Sequence, residues 1–285
     1  LSNGATLFGF TLTAGWTRSD GDLLRERSGG AALVLRGGAL KNCIIDANQS
    51  LDYGGGLCLL ADGEAVNCLV VSNTATRGGG ACLFRGGVLA NCTVARNSAS
   101  YGGGAYIVDS GEVVNSVVWS NVAATAGSNI LTSGAGAMVR FTSAPDGVTA
   151  GVDGCMTSDP GFTSVSGADY ALTLGSSCVD SGTNEVWMQD AKDLIGRPRI
   201  IRGKVDMGAY ENGYSMTIVS EHGTPTPGVG EHVNAWGAVL TNSIGTTEVS
   251  GATQYVSSGW TMTGSEPVNG STTSCVMTLT NDAVL

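Results

Sequence analysis

The dipeptide Asn-Cys occurs at 42–43, 67–68 and 91–92, and Asn115-Ser116 continues the series, at intervals of 25, 24 and 24 residues. Glycine clusters keep the same step: Gly29-Gly30, Gly54 to Gly56, Gly78 to Gly80 and Gly102 to Gly104. So do the trailing asparagines Asn48, Asn73, Asn97 and Asn121. Three markers in phase restrict the chain to an architecture in which each period is one unit stacked on the next. Around each leading Asn, alternate positions are apolar or small. They are Leu40, Ala65, Leu89 and Val113 before it, then Cys43, Cys68, Cys92 and Ser116, then Ile45, Val70, Val94 and Val118. That is strand periodicity, broken at the Asn as if the chain turns a corner there. About 24 residues with three short strands and three corners describe one coil of a parallel β-helix. The expected class is all-β: a right-handed parallel β-helix over 1–212 and a small C-terminal β-rich module over 213–285.

Stacked coils lie about 4.8 Å apart, so equivalent side chains form columns. Asn42, Asn67, Asn91 and Asn115 are expected to hydrogen-bond amide to amide along one column and to tolerate a left-handed corner. Glycines supply positive φ where the chain re-enters the next strand. Cys43, Cys68 and Cys92 read as small apolar fillers of a narrow interior. After each glycine cluster both strand parities are apolar, with Ala31, Leu57, Ala81 and Ala105 aligned and Ala32, Cys58, Cys82 and Tyr106 beside them. One parity must face outward, so a cover is expected from the Trp16–Ser28 loop, the C-terminal module or a partner chain. Cys58 and Cys82, on adjacent coils, are close enough in principle for a disulfide.

Composition narrows the partners. A formal charge of -10 without blocks of like charge argues against nucleic acid and anionic membranes, and no apolar run is long enough to span a bilayer. A chain that opens on Leu1 without a charged leader reads as a piece whose targeting signal lies elsewhere. The eight cysteines lack CxxC zinc spacing, which leaves buried thiols or disulfides.

The glycine clusters, with Val70-Val71-Ser72-Asn73 and Val94-Ala95-Arg96-Asn97, resemble the repeats of chlamydial polymorphic outer-membrane proteins; the usual Phe of that motif is Val here, and no autotransporter barrel is present. "DPGF" (159–162), "ADYALTLGSSCVDSG" (168–182) and "GRPRIIRGKVDMGAYE" (196–211) resemble the closing segment of secreted β-helix proteins with choice-of-anchor domains. That resemblance implies a pectate-lyase-like superfamily fold and an extracellular or cell-surface location, without implying lyase activity. It places Asp206 and Glu211 at the closure of the last coil, paired with Arg197 or Arg199. Cys155 and Cys178 flank the segment, and a disulfide between them is expected in an oxidising compartment. From Tyr214 onward, "SEHGTPTPGVGEHV" and "YVSSGWTMTGS" resemble divergent internalin-type B-repeat modules, implying a β-grasp-like fold. The stretch "LTNDAVL" stops where such modules continue into another strand, one that a neighbour could supply.

Three constellations could carry chemistry. Asp62, Glu64, Arg85, Asp109 and Glu112 come from consecutive coils, where β-helix lyases place carboxylates and a base; they read as a calcium or sugar site, or as exposed ion pairs worth about 0–1 kcal/mol each. Tyr53, Arg77 and Tyr101 precede successive glycine clusters and suggest a cation–π stack able to hold a glycan or to stiffen a corner. His222 and His232, with Glu221 and Glu231, all lie in the C-terminal module and read as solvated loop residues or as a paired Glu–His zinc site. No GxSxG elbow accompanies the many serines. The expectation is a non-catalytic extracellular structural or adhesive β-helix within a larger cell-surface or filamentous assembly, with self-association or neighbouring subunits as partners and no obligatory cofactor. The alternative is a carbohydrate-binding or polysaccharide-degrading β-helix using an outer groove.

Overall fold

The structure, a computed structural model, describes residues 1–285 apart from 174, 202, 235–237, 266, 280 and 281, and apart from the side chains of 215 and 233. The chain divides into two compact units, Leu1–Glu211 and Asn212–Leu285.

The first unit is a parallel β-solenoid of about 4 turns. Its strands are β1 (Thr6–Phe8), β2 (Thr11–Thr13), β3 (Ala32–Leu35), β4 (Ala39–Lys41), β5 (Ile44–Asp46), β6 (Leu57–Leu60), β7 (Glu64–Val66) and β8 (Leu69–Val71). They continue as β9 (Thr74–Arg77), β10 (Ala81–Phe84), β11 (Gly87–Ala90), β12 (Thr93–Ala95), β13 (Ser98–Tyr101), β14 (Ala105–Val114), β15 (Val117–Trp119), β16 (Val122–Ala126) and β17 (Ile130–Arg140). One sheet runs β1-β4-β7-β11-β14-β10-β6-β3 with β17 beside β14, a second runs β15-β12-β8-β5-β2, and a third β16-β13-β9. Every pairing among these strands is parallel, as stacking of equivalent segments requires.

Each circuit turns at residues in the left-handed region. Asn42, Asn67, Asn91 and Asn115 have φ of 51°, 53°, 50° and 47°, and Gly54, Gly78 and Gly102 have 65°, 65° and 62°. Short polar side chains and glycine are the residues that enter this region at least cost. In the triple cluster only the first glycine is needed for its φ. A Cβ on Gly79 would come 2.4 Å from Gly103 O, and one on Gly80 would meet Val94 at 2.7 Å and Asn97 at 2.9 Å. The second and third glycines therefore answer to the coil below and to the interior.

The inward column of the first sheet is Ala32, Leu57, Ala81, Ala105 and Ile130, followed two residues on by Val34, Leu59, Leu83 and Ile107. Ala32, not Ala31, stands level with Leu57, so the expected alignment slips by one residue in that coil, where the Trp16–Ser28 insertion enters. Outward from the sheet, Cys58 and Cys82 are fully buried beneath Leu24, Tyr53 and Tyr106. The insertion thus supplies part of the expected cover.

The hydrogen-bonded asparagine ladder lies on the other column. Asn48 Nδ2 donates to Asn73 Oδ1 at 3.0 Å, Asn73 to Asn97 at 3.0 Å, Asn97 to Asn121 at 2.9 Å, and Asn121 to Asn129 at 3.2 Å. Each of the accepting oxygens also takes a backbone N–H from the coil above. Gly15 N–H occupies the Asn48 oxygen, and Asn129, held by Asp146 Oδ1 at 2.8 Å, closes the far end. Along Asn42, Asn67, Asn91 and Asn115 only one amide–amide contact exists, Asn67 to Asn42 at 3.4 Å. The left-handed corner turns those side chains away from the interior.

The thiol column is a second donor ladder. Cys43, Cys68 and Cys92 each aim Sγ at the carbonyl two residues earlier, at 3.3, 3.3 and 3.2 Å, and also at a carbonyl of the coil above. Ser116 and Thr142 repeat the pattern with hydroxyls, at 2.8 and 2.9 Å. Cys is therefore more than an apolar filler: the position selects a small side chain carrying one hydrogen-bond donor.

After the coils come β18 (Phe162–Ser164) and β19 (Asp169–Leu172), an antiparallel pair, and short 3-10 turns at Val152–Gly154 and Val186–Met188. The second unit contains β20 (Tyr214–Ile218), β21 (Gly230–Asn234), β22 (Val239–Ser243), β23 (Thr247–Ser250), β24 (Thr253–Val256), β25 (Trp260–Thr261), β26 (Asn269–Gly270), β27 (Ser274–Thr278) and β28 (Ala283–Val284). β28 lies parallel beside β20, so the stretch "LTNDAVL" itself contributes a closing strand. Met216, Ile218, Met262, Cys275, Met277 and Leu279 form the core of this unit.

Candidate functional site

The Tyr53, Arg77 and Tyr101 column is assembled as a stack. Each residue ends an extended segment just before a left-handed glycine, and Tyr53 pairs with Arg77 and Arg77 with Tyr101 in parallel register. The Arg77 guanidinium carbon lies 5.3 Å from the Tyr53 ring centre and 5.7 Å from that of Tyr101, within cation–π range of both. Tyr53 also meets Phe84 edge-to-face at 5.0 Å. Its flank is pinned by an ion pair of Arg27 with Asp52 at 2.7 Å. Burial raises the Tyr53 phenol above its ordinary range, with the Arg77 charge opposing. All three members of the stack remain half-buried, so the ridge presents aromatic faces and a cation together to solvent.

The outer-face charges do not converge. Arg85 and Asp109 form an open pair at 3.9 Å, 73% and 63% exposed. Asp62 belongs to the neighbouring position, level with Gly86, where a Cβ would meet its Oδ1 at 2.5 Å. Glu64 and Glu112 are separated by Val88 on the shared sheet. Glu112 is engaged by Arg140, which also reaches Glu185 at 3.1 Å. Among the described residues no three His, Cys, Asp or Glu side chains gather as a metal site.

The corner asparagines serve a different purpose. The segment from 162 to 211 crosses the outer face of the second sheet as a lateral strap. Tyr170 packs on Leu69, Val71 and Ala95, while Leu172, Cys178 and Met207 pack on Val117. Asn42 Nδ2 donates to Asp193 O at 2.7 Å, Asn67 Nδ2 to Lys192 O at 2.9 Å, and Asn115 exchanges bonds with Thr183 N and O at 2.7 and 2.9 Å. Thr93 Oγ1 accepts from Ala209 N at 3.0 Å. Asn91 is fully buried, and both its side-chain amide atoms lack a partner among the described residues.

The strap is held by buried ionisable groups. Arg199 meets Glu211 at 3.0 Å with both side chains fully buried, and donates to the carbonyls of Gly208 and Asp206. Glu211 accepts Asp206 N–H, and Asp193 accepts from Ile195, Arg197 and Glu211 N–H. Burial pushes the Glu211 carboxyl up to about 9 against the pull of Arg199, and burial also raises Asp193. Asp206 and Glu211 thus anchor a side strap and do not close the last coil, as the resemblance had implied. The outward pairs Leu69 with Val71 and Val117 with Trp119 were the sequence signal for a cover on this face.

Cys155 and Cys178 are separate buried thiols. Cys155 sits below Thr142 and continues the donor ladder, with Sγ 3.4 Å from Val139 O, whereas Cys178 belongs to the strap. Cys58 and Cys82 stand in direct register and are also free. Burial raises the thiols of Cys58, Cys68, Cys82, Cys155 and Cys178, the first of these to about 12.

In the second unit, His222 stacks on Tyr255 at 3.5 Å and lies 3.5 Å from Glu248, while His232 contacts Gly228 O at 2.6 Å. The two histidines have different partners, and among the described residues Glu221, His222, Glu231 and His232 do not gather as a metal site. A cavity of about 260 Å³ lies between β22, β27, Trp260 and Leu285. No protein-family model, no curated protein and no solved structure matches this chain.

Proposed function

We propose that the chain is part of a non-catalytic extracellular spine, a structural or adhesive solenoid within a larger cell-surface or filamentous assembly. The observation that carries this reading is the first coil. Among the described residues β1 and β2 are each paired on one edge only, with β4 and β5. Phe10, level with Cys43 of the donor ladder, is 55% exposed, and Leu7 and Leu12 beside it are half-buried. Such an edge has the hydrogen-bonding pattern and apolar chemistry to receive another winding. The resemblances to polymorphic outer-membrane repeats, to choice-of-anchor closing segments of pectate-lyase-like proteins and to internalin-type B-repeats support an extracellular setting. Sedimentation velocity across a concentration series tests the proposal: association is expected, and Phe10→Asp should abolish it. A wild-type chain that stays monomeric throughout refutes it.

The arginine held between two tyrosines favours a second reading, a glycan-binding edge. Glycan-array binding lost in Arg77→Ala supports it. Polysaccharide cleavage lost in Arg85→Ala would instead make the solenoid an enzyme.

A further inference from the structure

The flank of the first coil carries apolar surface beside the strap. Leu7 stands level with the buried Leu40, so Phe8 and its register partner Lys41 both face outward. Phe8 is 62% exposed and Phe10 55%. With Ile44 and Leu194 they wall a cleft of about 370 Å³ where the strap meets the coils, a size within the range of ligand pockets. The amide donors around it are spent on the fold. Asn42 Nδ2 donates to Asp193 O at 2.7 Å, Gly9 N–H to Lys41 O at 3.0 Å, Ile44 N–H to Phe10 O at 2.9 Å and Leu194 N–H to Ala209 O at 3.0 Å. Asp193 is fully buried and accepts from Ile195, Arg197 and Glu211 N–H, so its charge is not presented to the cleft.

Lys192 is different. Its carbonyl is pinned by Asn67 Nδ2 at 2.9 Å, and its side chain lines the cleft and is exposed. Neither Lys192 nor Lys41 has an ion-pair partner among the described residues, where the paired cations of this unit are arginines. Lysine occurs only at 41, 192 and 204 in a chain of net charge -10, so two of its three lysines flank one apolar cleft. We infer that this cleft binds a fatty acid, with the acyl chain against Phe8, Phe10, Ile44 and Leu194 and the carboxylate held by Lys41 and Lys192. Apolar burial supplies the affinity and the two ammonium groups the selectivity for an anion. An acidic peptide would need partners for its backbone amides, which groups already engaged in the fold do not offer. The cleft lies on the flank of the coils, so the inference stands apart from whatever meets the edge of the first winding.

Isothermal titration of the full chain with decanoate, decyltrimethylammonium and acetyl-trileucine tests it. Decanoate is expected to bind about tenfold more tightly than the cation with the same tail, the effect of a hydrogen-bonded charge pair, and more tightly than the peptide. Replacing both lysines, Lys41→Gln with Lys192→Gln, should erase the preference for the anion, and Phe8→Ser should weaken both decyl ligands alike. All three side chains are exposed, so the melting temperature should hold. In the wild-type chain, decanoate should shift the side-chain Cε resonances of Lys41 and Lys192 and leave that of Lys204 in place, a readout that needs no variant. Equal affinity for anion and cation, no binding, unmoved Lys41 and Lys192 resonances, or a preference that survives the double replacement would overturn it. Tighter binding of acetyl-trileucine would overturn it as well and assign the cleft to peptide C-termini.

Discussion

Asn91 and Asn97 lie six residues apart in one coil, recur at the same period and are both fully buried or nearly so, yet their replacement should have opposite consequences. Asn97 Oδ1 accepts from Asn73 N and Nδ2 at 2.9 and 3.0 Å, and Asn97 Nδ2 donates to Val70 O and Asn121 Oδ1, both at 2.9 Å. Asn97→Ala strands two buried donors of Asn73. At about 1–3 kcal/mol for each unsatisfied group, the loss is roughly 2–6 kcal/mol. For a unit of this size that lowers the melting temperature by about 4–24 °C. Among the described residues the Asn91 side chain makes no hydrogen bond that its removal would break, and its φ of 50° suits glycine. Asn91→Gly therefore removes two unanswered polar atoms without straining the corner, and is expected to change stability by less than about 1 kcal/mol or to raise it. Thermal and urea unfolding followed by circular dichroism compare the two. If Asn91→Gly costs as much as Asn97→Ala, the assignment of the inner ladder is wrong.

The strap should respond to pH. Unfolded Glu211 loses its proton near 4.5 and the folded state keeps it to about 9, so its contribution is complete below 4.5 and fades as pH rises between those values; Glu211→Gln should flatten that part of a melting-temperature profile. Cys92→Ser should cost less than about 1 kcal/mol in urea unfolding, because Ser116 fills the same donor role one coil below, and Cys92→Ala should cost more. A thiol reagent such as Ellman's should find all eight cysteines unreactive in the native chain and reactive in denaturant, since every one is buried; rapid native labelling of Cys58 or Cys82 would contradict the cover over the first sheet.

The period alone was enough to place the coils, because identical chemistry every 24 or 25 residues has few explanations other than stacking. It did not say which asparagine column faces inward. Both columns repeat with equal fidelity, and only the left-handed turn at 42, 67, 91 and 115 decides that those side chains look out. The serine at 116 hinted that the Cys column carries a donor, since an apolar site would reject a hydroxyl. Proximity within "GKVDMGAYE" made Asp206 and Glu211 legible as a group, but their destination was not, because the strap's partners on the coils lie 68 to 151 residues away in sequence. The five outer-face charges scattered because neighbouring positions around a coil point in different directions even when they share a column spacing.

A simple solenoid couples each winding only to the next, so it can unravel stepwise from an end. The crossing chain that binds Asn42, Asn67, Thr93 and Asn115 ties the winding of Asn42 to that of Asn115, which do not touch one another. Opening any one of the windings between them requires this shared tie to detach, so amide hydrogens from the winding of Asn42 to that of Asn115 should exchange at a common rate instead of in a gradient.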